Sequence, residues 1–287
     1  MNYYSVSKLN HDIIHSFLPQ MPQVDLIVGI PRDGILVAVL VSNYRNIPFT
    51  DLDAFCEGKV YRPGAKHRNK QIYDAEIKNI LVVDDICATG RAMREAKGQM
   101  GGLGHDARIY YSTVYAFEGK DKLGIGRQPG LLDFYGVELI RPCHYEWTQC
   151  DAVRLPQTIF DIDGILCPDC SKENDDDGER YERFLTESPL KLRPENVGAF
   201  ITWRDEKYRG LTEAWLRKHG IKYHELIMAR RSEWRNAIEF KADYYSRSKY
   251  TLFIESSSRQ AKEIARLTDK PVIGRDSNEI FGGKLGL

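Results

Sequence analysis

ILVVDDICATG, residues 80–90, passes from four apolar residues into two adjacent acids and then into a turn of small residues. The apolar run from Asn79 to Val83 reads as a buried strand, and a helical pattern resumes at Arg91. In open α/β sheets, ligands bind beyond the carboxyl ends of the strands. A small-residue turn lets backbone N–H groups point inward, and the helix that follows adds partial positive charge at its N-terminus. Ala88, Thr89, Gly90, Arg91 and Ala92 therefore form a candidate phosphate cradle, with the Thr89 hydroxyl as an extra donor. Asp84 and Asp85 stand too close to such a phosphate to bind it themselves. Their oxygens suit vicinal hydroxyls, or a Mg²⁺ ion bridged to them. Together the features ask for a ligand with a phosphate at one end and a diol nearby, as in a ribose 5-phosphate. The alternative is a buried strand that closes on a capping aspartate.

The chain has 287 residues, room for two domains. Its 41 basic and 41 acidic residues cancel, so no net field draws it to nucleic acid or to an anionic membrane. There is no run of apolar residues long enough to span a bilayer, and the polar N-terminus lacks a signal-peptide core. Six cysteines are too sparse for a disulfide scaffold in a chain this long. These observations lead to the expectation of a cytoplasmic protein that binds small molecules and neither nucleic acid nor membranes.

Strand and helix patterns alternate along the chain. Val24–Ile30, Asn79–Val83 and Ala107–Ala116 read as strands, and Gly34–Tyr44 as a helix. The pattern then restarts, with strands at Gln157–Phe160, Ala199–Thr202, Tyr250–Ile254 and Pro271–Ile273 and helices at Lys207–Lys218 and Ser257–Leu267. Such alternation predicts an α/β protein of two domains, residues 1–152 and 153–287, each a mainly parallel sheet flanked by helices.

The stretch VVDDICATG resembles the binding motif for phosphoribosyl pyrophosphate (PRPP) in type I phosphoribosyltransferases. Upstream, VGIPRDGILVA at 28–38 resembles that family's pyrophosphate loop. There Gly29 and Gly34 allow close backbone approach, and Arg32 can bridge pyrophosphate oxygens. Between the two lies a basic segment, GKVYRPGAKHRNKQ at 58–71, with Lys59, Arg62, Lys66, Arg68 and Lys70. It is either a solvated loop or the mobile lid that the family closes over pyrophosphate. The family often carries a second Thr where this chain has Ala92. The resemblance covers residues 1–150 and implies transfer of ribose 5-phosphate from PRPP to a nitrogenous base, with Mg²⁺ and release of pyrophosphate. It is also compatible with a homodimer. Tyr145 and Trp147 are either stacking faces for the base or packing at the domain junction.

A second acid-bearing strand end, FDIDG at 160–164, carries Asp161 and Asp163. One carboxylate can attack phosphorus while the other handles the leaving-group proton. FDIDGIL resembles the first motif of haloacid dehalogenase-type (HAD) phosphohydrolases. FITWRDEKYRG, from residue 200, resembles the second, with Thr202 as the phosphate-binding hydroxyl. Lys241 stands as the lysine that steadies the phosphoryl group, and LFIESSS, from 252, offers Glu255 as a metal ligand. The resemblance thus implies a Mg²⁺ site from Asp161, Asp163 and Glu255, with Asp85 as the metal-binding acid of the first domain. Ser256, Ser257 and Ser258 follow Glu255 where a second acid is usual, so a degenerate, binding-only domain stays open. The short interval between the first two motifs leaves room for only a minimal cap. Cys143, Cys150, Cys167 and Cys170 are a weaker candidate for zinc. Two rival functions remain: a PRPP- or nucleotide-binding regulator without turnover, and a phosphatase of phosphate esters whose first domain only recruits substrate.

Overall fold

A computed structural model describes residues 2–61, 77–103, 106–117, 130–148 and 154–282. The chain divides into two compact units, Tyr4–Cys143 and His144–Leu287 with Met1–Tyr3. The expected boundary between 152 and 153 lies outside the described residues.

Strand β1 (Asn2–Tyr4) is paired in a two-stranded sheet with β7 (Cys143–Tyr145). The first unit is built on β2 (Leu26–Gly29), β3 (Phe49–Asp51), β4 (Asn79–Cys87), β5 (Arg108–Phe117) and β6 (Phe134–Leu139), in the order β3-β2-β4-β5-β6. Every pairing is parallel. Helices α1 (Val6–Asp12), α2 (Gly34–Arg45), α3 (Leu52–Cys56) and α4 (Arg91–Gly101) complete the unit's α-helices among the described residues. The segment Ser5–Phe17 continues from α1 into a π-helical stretch at Ile13–Phe17. Met93, Ala96 and Met100 recur at helical spacing on α4 and pack on Leu26, Val28, Ile80 and Val82 of the sheet. Two strands, β3 and β6, escape the sequence pattern. Both are edge strands, and their residues are mostly half-buried.

The second unit carries β8 (Thr158–Phe160), β9 (Val197–Asp205), β10 (Tyr223–Ala229), β11 (Leu252–Glu255), β12 (Val272–Gly274) and β13 (Glu279–Phe281), in the order β10-β9-β8-β11-β12-β13. All pairings are parallel except β12 with β13. Its helices are α5 (Glu179–Glu187), α6 (Arg209–Lys218), α7 (Ala237–Arg247) and α8 (Ser258–Thr268). Successive strand residues point to opposite faces. Phe160, Phe200 and Ile254 accordingly pack on Trp215 and Leu216 of α6. Ile159, Ile201 and Phe253 face the other way, onto Phe240 and Tyr245 of α7 and Ile264 of α8. Burial of each such aromatic contributes roughly 1.5–3 kcal/mol. Covering both faces leaves the carboxyl edge of the sheet as the place where polar groups can gather. Between β8 and β9 the described chain holds a single regular helix, α5. No described helix is long and apolar enough to cross a membrane.

Candidate active sites

At the first site, β2 and β4 are hydrogen-bonded neighbours with Gly29 opposite Val83. This pairing brings the turn after β2 against the acid pair. A side chain at Gly34 would meet Val83 O at 2.6 Å and Asp84 Cα at 3.0 Å, so only glycine permits the approach. Gly29 is equally crowded, with Gly34 O 2.8 Å from where its Cβ would lie. The two stretches that the sequence set 50 residues apart in kind are thus one corner of the fold.

The acid pair lies inside β4 rather than at its end, because the strand continues to Cys87 and keeps pairing with β5. Asp84 Oδ1 accepts from Asp85 N at 2.9 Å, and Asp85 Oδ1 from Ile86 N at 2.7 Å. Burial, reinforced by the Asp85 charge, pushes the Asp84 carboxyl well above the usual carboxylate range. Cys87 is buried in the core as a small residue. Gly90, at φ 74°, turns the chain into α4. Thr89, Arg91 and Ala92 are exposed, Ala88 is half-buried and Gly90 buried. Thr89 Oγ1 accepts from Arg91 N at 3.3 Å, so part of the cradle is closed on itself. Arg91 also pairs with Glu95 at 2.9 Å.

The cations expected here are exposed. Arg32 pairs with its neighbour Asp33 at 2.8 Å, and Lys59 with Glu57. Lys66, with Arg62, Arg68 and Lys70 of the expected lid, lies outside the described residues. Tyr145 and Trp147 belong to the second unit, with ring centroids 5.4 Å apart, and the Arg154 guanidinium lies 5.2 Å from the Tyr145 ring.

At the second site, three separate segments converge. Lys241, on α7, places Nζ 2.8 Å from Asp161 Oδ2 and 2.8 Å from Glu255 Oε2. Asp161 follows β8 and Glu255 ends β11; all three side chains are almost wholly buried. Burial, and then the Glu255 charge, raise the Asp161 carboxyl well above its ordinary value, with Lys241 opposing. Burial alone would lower the Lys241 ammonium, but the two carboxylates hold it above its usual value. Ser256 Oγ donates within reach of both acids, at 3.1 Å to Asp161 Oδ2 and 3.1 Å to Glu255 Oε1.

Asp163 has a partner that the motif reading passed over. Arg204, 1% exposed, donates from Nη2 to Asp163 Oδ1 at 2.6 Å and from Nε to Oδ2 at 3.0 Å. Its strand supplied a signal: an arginine two residues after Thr202 shares that buried face, and a buried arginine needs an acid. Thr202 is fully buried, and its hydroxyl accepts from Arg204 N at 3.2 Å. A cavity of about 200 Å³ opens over this constellation, lined by Asp161, Asp163, Trp203, Arg204, Arg231 and Lys241. Thr202 is not on its wall.

Magnesium wants several oxygen ligands in open geometry. At the second site every carboxylate oxygen of Asp161, Asp163 and Glu255 already accepts a hydrogen bond from within the chain: Asp161 from Ile162 N, Lys241 and Ser256, Asp163 from Arg204, and Glu255 from Lys241, Ser256 and Ser257 N. Among the described residues no three His, Cys, Asp or Glu side chains are grouped to hold a metal. In this arrangement the three acids do not fit the ion, and among the described residues Asp85 likewise belongs to no such group of three. The described cysteines of the zinc candidate are likewise turned to local partners. Cys143 Sγ is 3.0 Å from Ile140 O, Cys167 Sγ 3.4 Å from Asp163 Oδ1 and Cys170 Sγ 3.6 Å from Ser171 O. Cys150 lies outside the described residues.

No curated protein matches the chain. Among solved structures it is similar to a xanthine-guanine-hypoxanthine phosphoribosyltransferase of Helicobacter pylori, with 16% identity, a TM-score of 0.34, and coverage of 52% of this chain and 92% of that one. A purine phosphoribosyltransferase of Pyrococcus horikoshii Ot3 is similar at 17% identity and a TM-score of 0.34, over 51% of this chain and 94% of that one. A chain of the Pnkp1/Rnl/Hen1 RNA repair complex is similar at 13% identity and a TM-score of 0.34, over 93% of this chain and 99% of that one. Scores this low carry no inference about function. The family model named "Phosphoribosyl transferase domain" matches residues 12–106, which contain the glycine turn, the acid pair and the cradle. The match thus falls wholly within the first unit, and it is the part of the chain that is similar to a phosphoribosyl transferase domain.

Proposed function

We propose that the chain is a two-domain enzyme. Its first unit transfers ribose 5-phosphate from PRPP to a nitrogenous base, and its second, HAD-like unit hydrolyses a phosphate ester. The observation that carries the first half is the packing of Gly34 on Asp84, which joins a pyrophosphate-type loop to a diol-binding acid pair within a matched domain. Asp84 and Asp85 hold the ribose hydroxyls, residues 88–92 the 5-phosphate, and Gly29, Gly34 and Arg32 the pyrophosphate. Magnesium belongs to this reading as part of the PRPP complex, beside Asp85. The transition state is oxocarbenium-like, so the protein's task is to position the base and the pyrophosphate and to neutralise the leaving charge.

For the second half, the Asp161–Lys241–Glu255 constellation supports a carboxylate nucleophile. An Asp161 oxygen attacks phosphorus, the bond to the ester oxygen breaks, and Asp163, turned from Arg204 and protonated when substrate is bound, delivers the proton that the leaving oxygen takes up. Water then attacks the phosphorus of the acyl phosphate and gives its proton back to Asp163. Lys241 opposes the rise that burial and Glu255 impose on the Asp161 carboxyl, and so favours its ionised, nucleophilic form. No step is drawn through a metal here, because the carboxylate oxygens are engaged within the chain. The substrate of this unit is the nucleotide made by the first, or a related phosphate ester.

The test is a panel of bases with labelled PRPP, read by mass spectrometry for nucleotide, nucleoside and pyrophosphate. One class of base should turn over, and Asp85→Asn should stop it. Calorimetric PRPP binding without pyrophosphate release from any base would instead make the protein a regulator. If nucleotide accumulates equally in the parent and in Asp161→Asn, the coupling of the two reactions fails.

A further inference from the structure

The second site holds three cations, and their hydrogen-bonding capacity is spent unequally. Lys241 is divided between Asp161 and Glu255, and Arg204 is clamped on Asp163. Three acids against these two cations leave one negative charge, and Asp169 and Asp175 add more at the cavity wall. A phosphate ester brings negative charge of its own, so the site as counted would repel it.

Arg231 changes that balance. It stands in the turn after β10 and lines the same cavity as Asp161 and Asp163. Its backbone N donates to Asp205 Oδ2 at 3.2 Å, and its Nε to Trp203 O at 2.9 Å. The guanidinium carbon lies 5.8 Å from the centre of the Trp203 ring. These contacts fix the plane of the group and use only one of its three nitrogens. Among the described residues neither terminal nitrogen has a hydrogen-bond partner, and no acid forms an ion pair with the side chain. A guanidinium anchored through Nε presents its remaining edge in the fork geometry that suits two phosphate oxygens. A second polar group in this cavity is also unspent, since Gln260 Oε1 is buried without a hydrogen-bond partner.

We infer that Arg231 binds the substrate's phosphate at the second site, its free edge supplying the positive charge that Lys241 and Arg204 have already committed. The inference rests on the phosphatase reading above. It assigns the unit a preference for phosphate monoesters held by a fork of N–H donors.

The test uses the full chain, with p-nitrophenyl phosphate as substrate and orthophosphate as a calorimetric probe. Arg231→Ala should raise KM and weaken orthophosphate binding by about 10- to 100-fold, the loss expected for a charge-assisted hydrogen-bonded pair. The effect on kcat should be smaller, and Arg231→Lys should recover part of the loss. Should the alanine variant melt early, Arg231→Gln keeps a donor for Trp203 O without the charge, and the same KM and binding readings decide. KM and orthophosphate affinity within twofold of the parent in the well-folded variant would overturn the inference while leaving the phosphatase reading intact. A parent that neither hydrolyses the ester nor binds orthophosphate would remove both.

Discussion

The two acid-bearing corners of this chain solve the same electrostatic problem in opposite ways. Both place carboxylates near the carboxyl edge of a parallel sheet, where water is partly excluded. In the first unit, Asp84 and Asp85 stand side by side, and burial with mutual repulsion pushes the Asp84 carboxyl up. In the second, Asp161 and Glu255 share the Lys241 ammonium, and Asp163 holds the Arg204 guanidinium. On the proposed reading the first corner waits for the hydroxyls of its substrate. The second has most of its charge offset by cations of the fold itself. The difference teaches that similar acid motifs can differ in whether the fold itself sets cations against them: at the second site it does, with Lys241 and Arg204.

The largest expected effect separates the corners by chemistry. Asp161→Asn should abolish ester hydrolysis, by at least about 10³-fold, because it removes the nucleophile. Phosphoribosyl transfer should be unchanged, and Asp85→Asn should give the reverse pattern. Both rates can be followed in one incubation by mass spectrometry. A variant that loses both reactions while its melting curve is unchanged would break the division of labour.

Lys241→Met probes the balanced corner by stability. It leaves two buried carboxylates without their shared cation, and breaking such a buried pair costs about 3–5 kcal/mol. A clear fall in the denaturant midpoint of the second unit is expected. Adding Glu255→Gln should restore part of it, since one of the stranded charges is then gone. If the single variant unfolds like the parent, Lys241 is not what balances the acids.

Gly34→Ala probes the other corner with a smaller effect. The new methyl would meet Val83 O and Asp84 Cα at contact distances that real side chains do not reach. Relief requires a backbone shift costing about 1–3 kcal/mol. KM for PRPP should rise more than stability falls, because the shift moves the pyrophosphate loop away from the acids. Unaltered PRPP affinity would separate the loop from the acid pair.

The parts of this account that were legible in the sequence are those encoded locally. The strand–acid–turn–helix order at 80–91 and the FDIDG turn declare themselves within a dozen residues, because each needs small residues and acids at fixed spacing along one segment. Helices α2, α4, α6 and α8 fall close to their expected spans, since apolar periodicity reports the buried face. What the sequence hid is what depends on residues meeting from afar. It left Arg204 unmarked although that residue lies on the buried face of β9, because the acid it answers is 41 positions earlier. Arg231 sits in an exposed-looking basic loop, MARRSEWRN, whose role appears only when its Nε meets the Trp203 carbonyl. Strand β4 also runs two residues beyond the acid pair. Apolar patterning stops at Val83, while backbone pairing with β5 continues to Cys87.

The smallest effect sharpens the comparison most, because the two corners should respond with opposite sign. A carboxyl whose folded-state value is raised binds its proton more tightly in the native protein than in the unfolded chain. Its contribution is therefore intact at low pH and is lost as pH rises from the ordinary carboxylate range through the raised value. At neutral pH a carboxyl held at Asp84 beside Asp85 is therefore a cost to the fold. Asp84→Asn removes one charge of the pair and keeps an oxygen that can accept from Asp85 N. It should stabilise the first unit by about 1 kcal/mol at pH 7, seen as a rise of about 2–4 °C in melting temperature, and the gain should vanish below the usual carboxylate range. Burial raises the Asp161 carboxyl as well, but there the Lys241 ammonium opposes the rise; Asp161→Asn withdraws a partner from that buried cation and leaves it with Glu255 alone, so it should lower the stability of the second unit instead. Thermal melts of both variants across pH test the pair together. Two shifts of the same sign would mean that the corners are electrostatically alike, and the distinction between a waiting site and a balanced one would not survive.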